Sequence, residues 1–290
     1  MNITAKEVKD LRDKTGAGMM DCKKALTECN GDMDAAIDYL REKGITKAAK
    51  KQDRIAAEGL SNIYVDGNKA VIVEVNSETD FVAKNAEFKD LVDKIGTTIL
   101  KNGTKELDKA LELDVDGTTI KDLIVNCTAK IGEKISLRRF ALIEKSDSEV
   151  FGSYIHMGGK ISSLIVLKGT STEVAKDVAM QAAAMRPLYT TIASVPAEDV
   201  EHEKTVIKEQ VINEGKKLEY ADKIIEGRIN KFFEDSVLEE QSFVKDPSLK
   251  VKDYISNNNS TLISLTKYEV GEGMEKRSDN FAEEVMNQIK

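Results

Sequence analysis

Three cysteines and two histidines, Cys22, Cys29, Cys127, His156 and His202, are the side chains of this sequence most able to ligate a metal or act as nucleophiles. Their spacing argues against both roles. A closed zinc site needs paired ligands two to four residues apart, and no such pair occurs among them. Cys22 and Cys29 share the face of a predicted helix but stand about 10 Å apart along its axis, too far for a disulfide. All three are expected as free thiols, and His156, two residues after Tyr154, reads as a structural side chain. No G-x-x-x-x-G-K-[ST] string is present, so the chain lacks the phosphate loop of a nucleotide hydrolase. Gly16-Ala17-Gly18 has neither the further glycine nor the preceding strand of a dinucleotide fingerprint. Serine and cysteine nowhere sit in a local nucleophile signature. The expectation is a protein that is not an enzyme, with no catalytic residue, metal or cofactor.

What remains is a contact chemistry. In Glu78-Thr79-Asp80-Phe81-Val82 an acid and a large aromatic stand between a buried-type strand and a helix. Two readings are open. Thr79 or Asp80 can accept hydrogen bonds from the first helical amides while Phe81 packs as a hydrophobic staple; or Phe81 is presented at a loop tip for a partner. Met19 and Met20 are adjacent and so point about 100° apart on a helix, which predicts one in the core and one on the surface, where a flexible thioether suits a contact.

These residues need elements to hold them. Thr4 and Glu7 form a capping-box pattern ahead of Val8 and Leu11, and the first helix is expected to stop at Thr15-Gly16. A second spans Met19 to Glu28 and breaks at Asn30-Gly31; Asp32 caps a third that is expected to run to Lys43, with Gly44 beyond its end. Lys47, Lys50, Lys51 and Arg54 read as a linker rather than a nucleic-acid patch, because the charges are few. Alternation at Ile63, Val65, Val71, Val73 and Val75 around Asp66-Gly67-Asn68 predicts a hairpin, and Phe88, Leu91, Val92, Ile95 and Ile99 stripe a helix from about Asn85 to Leu100. The order recurs at Val150 to His156, the Gly158-Gly159 turn, Ile161 to Leu167 and a helix from Thr172 to Met185, with Gly59 and Gly152 as equivalent entry points. Two α+β halves follow.

Beyond Pro196 the pattern turns charged and helical and breaks at Asn213-Glu214-Gly215. It predicts an antiparallel helical hairpin, with Leu218, Ala221, Ile225 and Phe232 facing Val200, Ile207 and Val211, interrupted by Arg228. A strand from Leu262 to Val270 completes the second half's sheet, and a last helix holds Phe281, Val285 and Ile289. The expected division is 1–54, a helical module and linker; 55–140, the first core subdomain; 141–190 with 236–269, the second; 191–235, the hairpin; and 270–290, a C-terminal module.

At 290 residues and 41% hydrophobic composition, the chain can bury a sizeable core. No apolar run approaches the length of a membrane span, and the amino terminus lacks a leader's apolar stretch, so a cytoplasmic protein without membrane partners is expected. With 43 Lys+Arg against 51 Asp+Glu the net charge is -8, which opposes nonspecific attraction to nucleic-acid phosphates.

Thr15-Gly16-Ala17-Gly18-Met19-Met20-Asp21-Cys22-Lys23-Lys24-Ala25-Leu26 and Glu78-Thr79-Asp80-Phe81-Val82-Ala83-Lys84-Asn85 resemble signatures of the elongation factor Ts family. Gly152-Ser153-Tyr154, Glu226-Gly227-Arg228 and Val270-Gly271-Glu272-Gly273 extend the resemblance along essentially the whole chain. Ser77 and the Met157-Gly158-Gly159 loop depart from the familiar members. The resemblance implies an α+β fold with a UBA-like N-terminal module and a coiled-coil insertion. It also implies a partner, elongation factor Tu, GDP-bound and nucleotide-free. Thr79, Asp80, Phe81 and Val82 would disturb that partner's magnesium site; Arg12, Met19 and Met20 would touch its nucleotide-binding domain, and His156 its third domain. The function so implied is guanine-nucleotide exchange. A ribosome- or RNA-associated structural protein without exchange activity is the alternative, disfavoured by the acidity. Homodimerisation, or a heterotetramer through core or coiled coil, stays open.

Overall fold

A computed structural model describes residues 3–15, 17–215 and 218–275, with the backbone alone at 218–221. The helix expected around Phe281 lies outside the described residues. Two compact units emerge: Met1–Asp66, Val71–Leu142 and Tyr268–Lys290 form the first, Gly67–Ala70 and Ile143–Lys267 the second.

The first unit begins with three helices, α1 (Ala5–Thr15), α2 (Met19–Glu28) and α3 (Met33–Ala49). Thr4 and Glu7 make the reciprocal capping box, the Thr4 amide donating to Glu7 Oε2 at 2.7 Å and the Glu7 amide to Thr4 Oγ1 at 3.3 Å. The Asp32 carboxylate caps α3 through the amides of Asp34 and Ala35. Val8, Leu11, Cys22, Ala25, Leu26 and Ala36 close a small core. Gly44 does not end α3; it lies inside the helix and is buried. A Cβ there would stand 3.3 Å from the Cβ of Ala129, so the glycine serves close packing against a later helix, and α3 continues to Ala49.

Next come β1 (Glu58–Asp66) and β2 (Lys69–Ser77), joined at Gly67-Asn68, where Gly67 takes a φ of 54°. The short α4 (Asp80–Lys84) leads to α5 (Ala86–Asn102), capped by Asn85, then α6 (Leu107–Leu111) and a small β3 (Asp114–Val115) and β4 (Thr118–Thr119) pair. α7 (Ile120–Ile131) and β5 (Ser136–Glu144) complete the unit, with sheet order β1-β2-β5. Val71, Val73 and Val75 of the central strand pack on Phe88, Leu91, Val92, Ile95 and Ile99 of α5. Between these valines, Glu74 is fully buried. Its carboxylate takes Arg138 at 2.8 Å, Arg139 at 2.6 Å and the Gly271 amide at 2.9 Å, so the buried charge is paired and hydrogen-bonded. Arg139 also reaches Glu272 at 3.1 Å and stacks its guanidinium over Tyr268.

The second unit repeats the plan. β6 (Glu149–His156) and β7 (Ile161–Lys168) pair antiparallel from Glu149↔Lys168 to His156↔Ile161, and α8 (Thr172–Met185) covers them. Helices α9 (Ala197–Asn213) and α10 (Leu218–Ser236) follow, then β8 (Ser242–Phe243), β9 (Asp246–Lys250), α11 (Val251–Asn257) and β10 (Thr261–Glu269). Sheet order is β6-β7-β10, so in both sheets a hairpin receives its third strand late, beside the second hairpin strand. Gly59 and Gly152 are not equivalent. A Cβ at Gly59 would meet the Val75 carbonyl oxygen of the neighbouring strand at 2.1 Å, whereas one at Gly152 would meet the Ala175 backbone of α8 at 2.0 Å.

The α9 and α10 seam is Ile207 and Val211 against Ile225, Ile229 and Phe233. The expected Phe232 gives way to Phe233 because 225, 229 and 233 continue one helical row; the side chains of Leu218 and Ala221 lie outside the described residues. Arg228 borders the seam and pairs with Glu214 at 2.7 Å. Among the described residues no helix is long and apolar enough to cross a membrane.

Candidate partner-binding site

Ser77 ends β2, and the chain turns through Glu78 and Thr79 into α4. Thr79 occupies the N-cap position, yet its side chain accepts nothing from the helix. Instead its amide donates to Glu133 Oε2 at 2.9 Å and its hydroxyl to Glu133 Oε1 at 2.8 Å. The return contact comes from the next residue of that loop, the Lys134 amide donating to Glu78 Oε1 at 2.6 Å. Arg54 pairs with Glu78 at 3.2 Å, and the Ser77 hydroxyl donates to the Thr79 carbonyl at 3.0 Å. Two carboxylates thus cross-link two loops, each accepting from the other's backbone. Charge-assisted bonds of this kind are among the stronger ones a turn can have.

Beyond this clamp the exposure alternates sharply. Val82 and Ala83 are buried, whereas Phe81 is 79% exposed. The staple reading is therefore wrong for Phe81, and the capping reading wrong for Thr79: Val82 supplies the inward anchor, and Glu133 takes the hydrogen bonds. Lys84 pairs with Asp80 at 2.6 Å, and its ammonium lies 5.6 Å from the Phe81 ring centre, inside the range of a cation–π contact. Lys84 thus lies over one face of the ring, while most of the side chain remains exposed.

The helical module presents a second apolar feature. Met19 is 53% and Met20 76% exposed, which corrects the expectation that one is core. The buried stripe of α2 starts only at Cys22 and continues through Ala25 and Leu26, leaving the first two residues beyond the packed part. Arg12 is exposed on α1, and its charge draws the Cys22 thiol downward while burial, the larger effect, pushes it up. In the second unit, His156 ends β6 opposite Ile161 and lies 6.0 Å from the Tyr154 ring, between the exposed Ile155 and Met157.

The structure thus places Thr79, Asp80, Phe81 and Val82 on one turn cross-linked by Glu78 and Glu133. Sequence reasoning missed Glu133 and Lys134, whose positions 54 and 56 residues from their partners leave no local signal. The three cysteines are free, and no group of three or more His, Cys, Asp or Glu side chains suited to a metal occurs among the described residues. Lys47 pairs with Asp21, Lys51 donates to the Gly132 carbonyl and Arg54 binds Glu78, so three of the four cations of this basic stretch are engaged within the protein. A family model described as Elongation factor TS matches residues 78–272, starting at the glutamate of the clamp and including the turn, His156 and the Gly271-Glu272 segment.

Proposed function

The chain belongs to the elongation factor TS family, and on that premise we propose that it is a non-hydrolytic guanine-nucleotide exchange factor for elongation factor Tu. The observation that carries the reading is Phe81, a large aromatic exposed at the head of a turn fixed by Glu78 and Glu133. Binding an aromatic anchor from a turn already in its bound shape avoids the ordering cost of a flexible loop.

A GTPase holds its nucleotide through a phosphate-binding loop and a magnesium ion bridging the phosphates. The turn of Thr79, Asp80, Phe81 and Val82 enters beside that ion and shifts its supports; Arg12, Met19 and Met20 engage the nucleotide-binding domain, and His156 engages another domain of the partner. Exchange factor and GDP then weaken each other's binding by the same factor, as linkage requires. Loss of about 4 kcal/mol of nucleotide stabilisation corresponds to roughly a thousandfold faster release. The chain acts on both GDP-bound and nucleotide-free partner during translation elongation.

The test is stopped-flow release of a fluorescent GDP from elongation factor Tu. Substoichiometric protein should accelerate release catalytically. Unchanged release at saturating protein overturns the proposal.

A further inference from the structure

A cavity of about 530 Å³ opens in the first unit, among the end of α1, the start of α2, the middle of α3 and the C-terminal half of α7. Its size lies within the range of small-molecule sites. Six cations line it, Lys14, Lys24, Arg41, Lys43, Lys47 and Lys130, against one carboxylate, Asp21. That concentration stands out in a chain whose net charge is -8. Three of the cations are answered: Lys47 by Asp21 at 2.9 Å, Arg41 by Asp122 at 3.0 Å and Lys130 by Glu87 at 2.6 Å. Lys43 rests 5.4 Å from the centre of the Tyr39 ring. Lys14 and Lys24 have no ion-pair or hydrogen-bond partner among the described residues. They come from different helices and face the same space.

We propose that this cavity binds a small polyphosphate anion, free or as the phosphate tail of a nucleotide. The unanswered charges are ammonium groups, which read phosphate as point charges, whereas the guanidinium whose fork would favour a carboxylate is already engaged. Three cations without a carboxylate call for more than one negative charge, and the volume exceeds what one phosphate fills. Tyr39 and Leu40 add an apolar side on which a base can rest.

The probe is inorganic tripolyphosphate, titrated calorimetrically into the full chain at fixed ionic strength against a sodium sulfate reference, with magnesium-free ATP as a second arm. The expected result is one saturable site, at least tenfold weaker in Lys14→Gln/Lys24→Gln and severalfold weaker in each single variant. Lys208→Gln, an exposed change on α9, leaves it unaltered. Circular dichroism establishes that the variants fold, as the lack of partners for Lys14 and Lys24 leads one to expect. Equal affinity for tripolyphosphate and ATP identifies a free polyphosphate as sufficient; tighter ATP binding that Tyr39→Ala removes identifies a nucleotide. Sulfate competing equally, binding unchanged in the double variant, or binding only to long RNA overturns the proposal. None of these outcomes depends on nucleotide exchange.

Discussion

On the proposed function, Phe81 supplies the contact of the turn and Glu133 its placement, and substitutions separate the two. Phe81→Ala should change stability by no more than the roughly 0.5 kcal/mol usual for a surface site, while an interface anchor loses 2 kcal/mol or more on truncation. Unfolding in urea and stopped-flow GDP release, measured on the same variant, give both numbers; a large loss of stability with normal exchange would identify Phe81 as structural. Glu133→Ala leaves every contacting side chain in place but frees the Thr79 amide and hydroxyl. It should slow exchange about tenfold, or 1.4 kcal/mol, and hasten hydrogen exchange at the Thr79 amide, with Glu133→Gln restoring part of both. The thiols offer an independent reading. Burial pushes Cys127 from its ordinary 9.0 up to about 12 and raises Cys22 as well. At pH 8 both are neutral and enclosed, so a thiol reagent should modify Cys29 first and the others only on unfolding. Because the folded pKa of Cys127 is the higher one, its contribution to stability is complete below pH 9 and disappears as pH rises from 9 towards 12.

Among the elements, the two hairpins and the helices that follow them were legible because period-two alternation, a glycine turn and a 3.6-residue stripe are all local. Gly152 shows what was not. A Cβ there meets the α8 backbone at 2.0 Å, and backbone cannot step aside as a flexible side chain can. Gly152→Ala should therefore cost at least the 1–3 kcal/mol typical of overpacking, read as a lowered urea midpoint, whereas Gly227→Ala, where a Cβ would meet nothing within 4 Å, should gain up to about 1 kcal/mol of helix propensity. The same residue type gave a false stop at Gly44, since a glycine placed for helix packing and one that ends a helix look alike until the packed helix is known. Strand β5 escaped notice because Arg138 and Arg139 break its alternation, and they do so to reach Glu74. Glu133 was invisible for a related reason: a clamp between distant loops has no spacing rule.

At the scale of the whole molecule, Glu74 joins three distant stretches of sequence within the first unit: its own strand, β5 and the segment at Gly271-Glu272. Glu74→Gln keeps the shape but leaves Arg138 without a carboxylate and Arg139 with that of Glu272 alone. Both are partly exposed and can regain water, so the cost should fall somewhat below the 3–5 kcal/mol of a fully buried broken pair. A chain ending at Lys267 should show a comparable loss by removing the Gly271 amide, Glu272 and Tyr268, measured as protease sensitivity of the first unit. The placement of this fastening also sets an order in time. Gly271 follows Glu74 by 197 residues, and at about 5–20 residues per second of synthesis the wait is roughly 10–40 s. Throughout that interval a nascent first unit carries a carboxylate in its central strand whose last donor has not yet been made. The first unit is therefore not locked until residue 271 has been made, by which point synthesis has passed the whole of the second unit, up to Lys267.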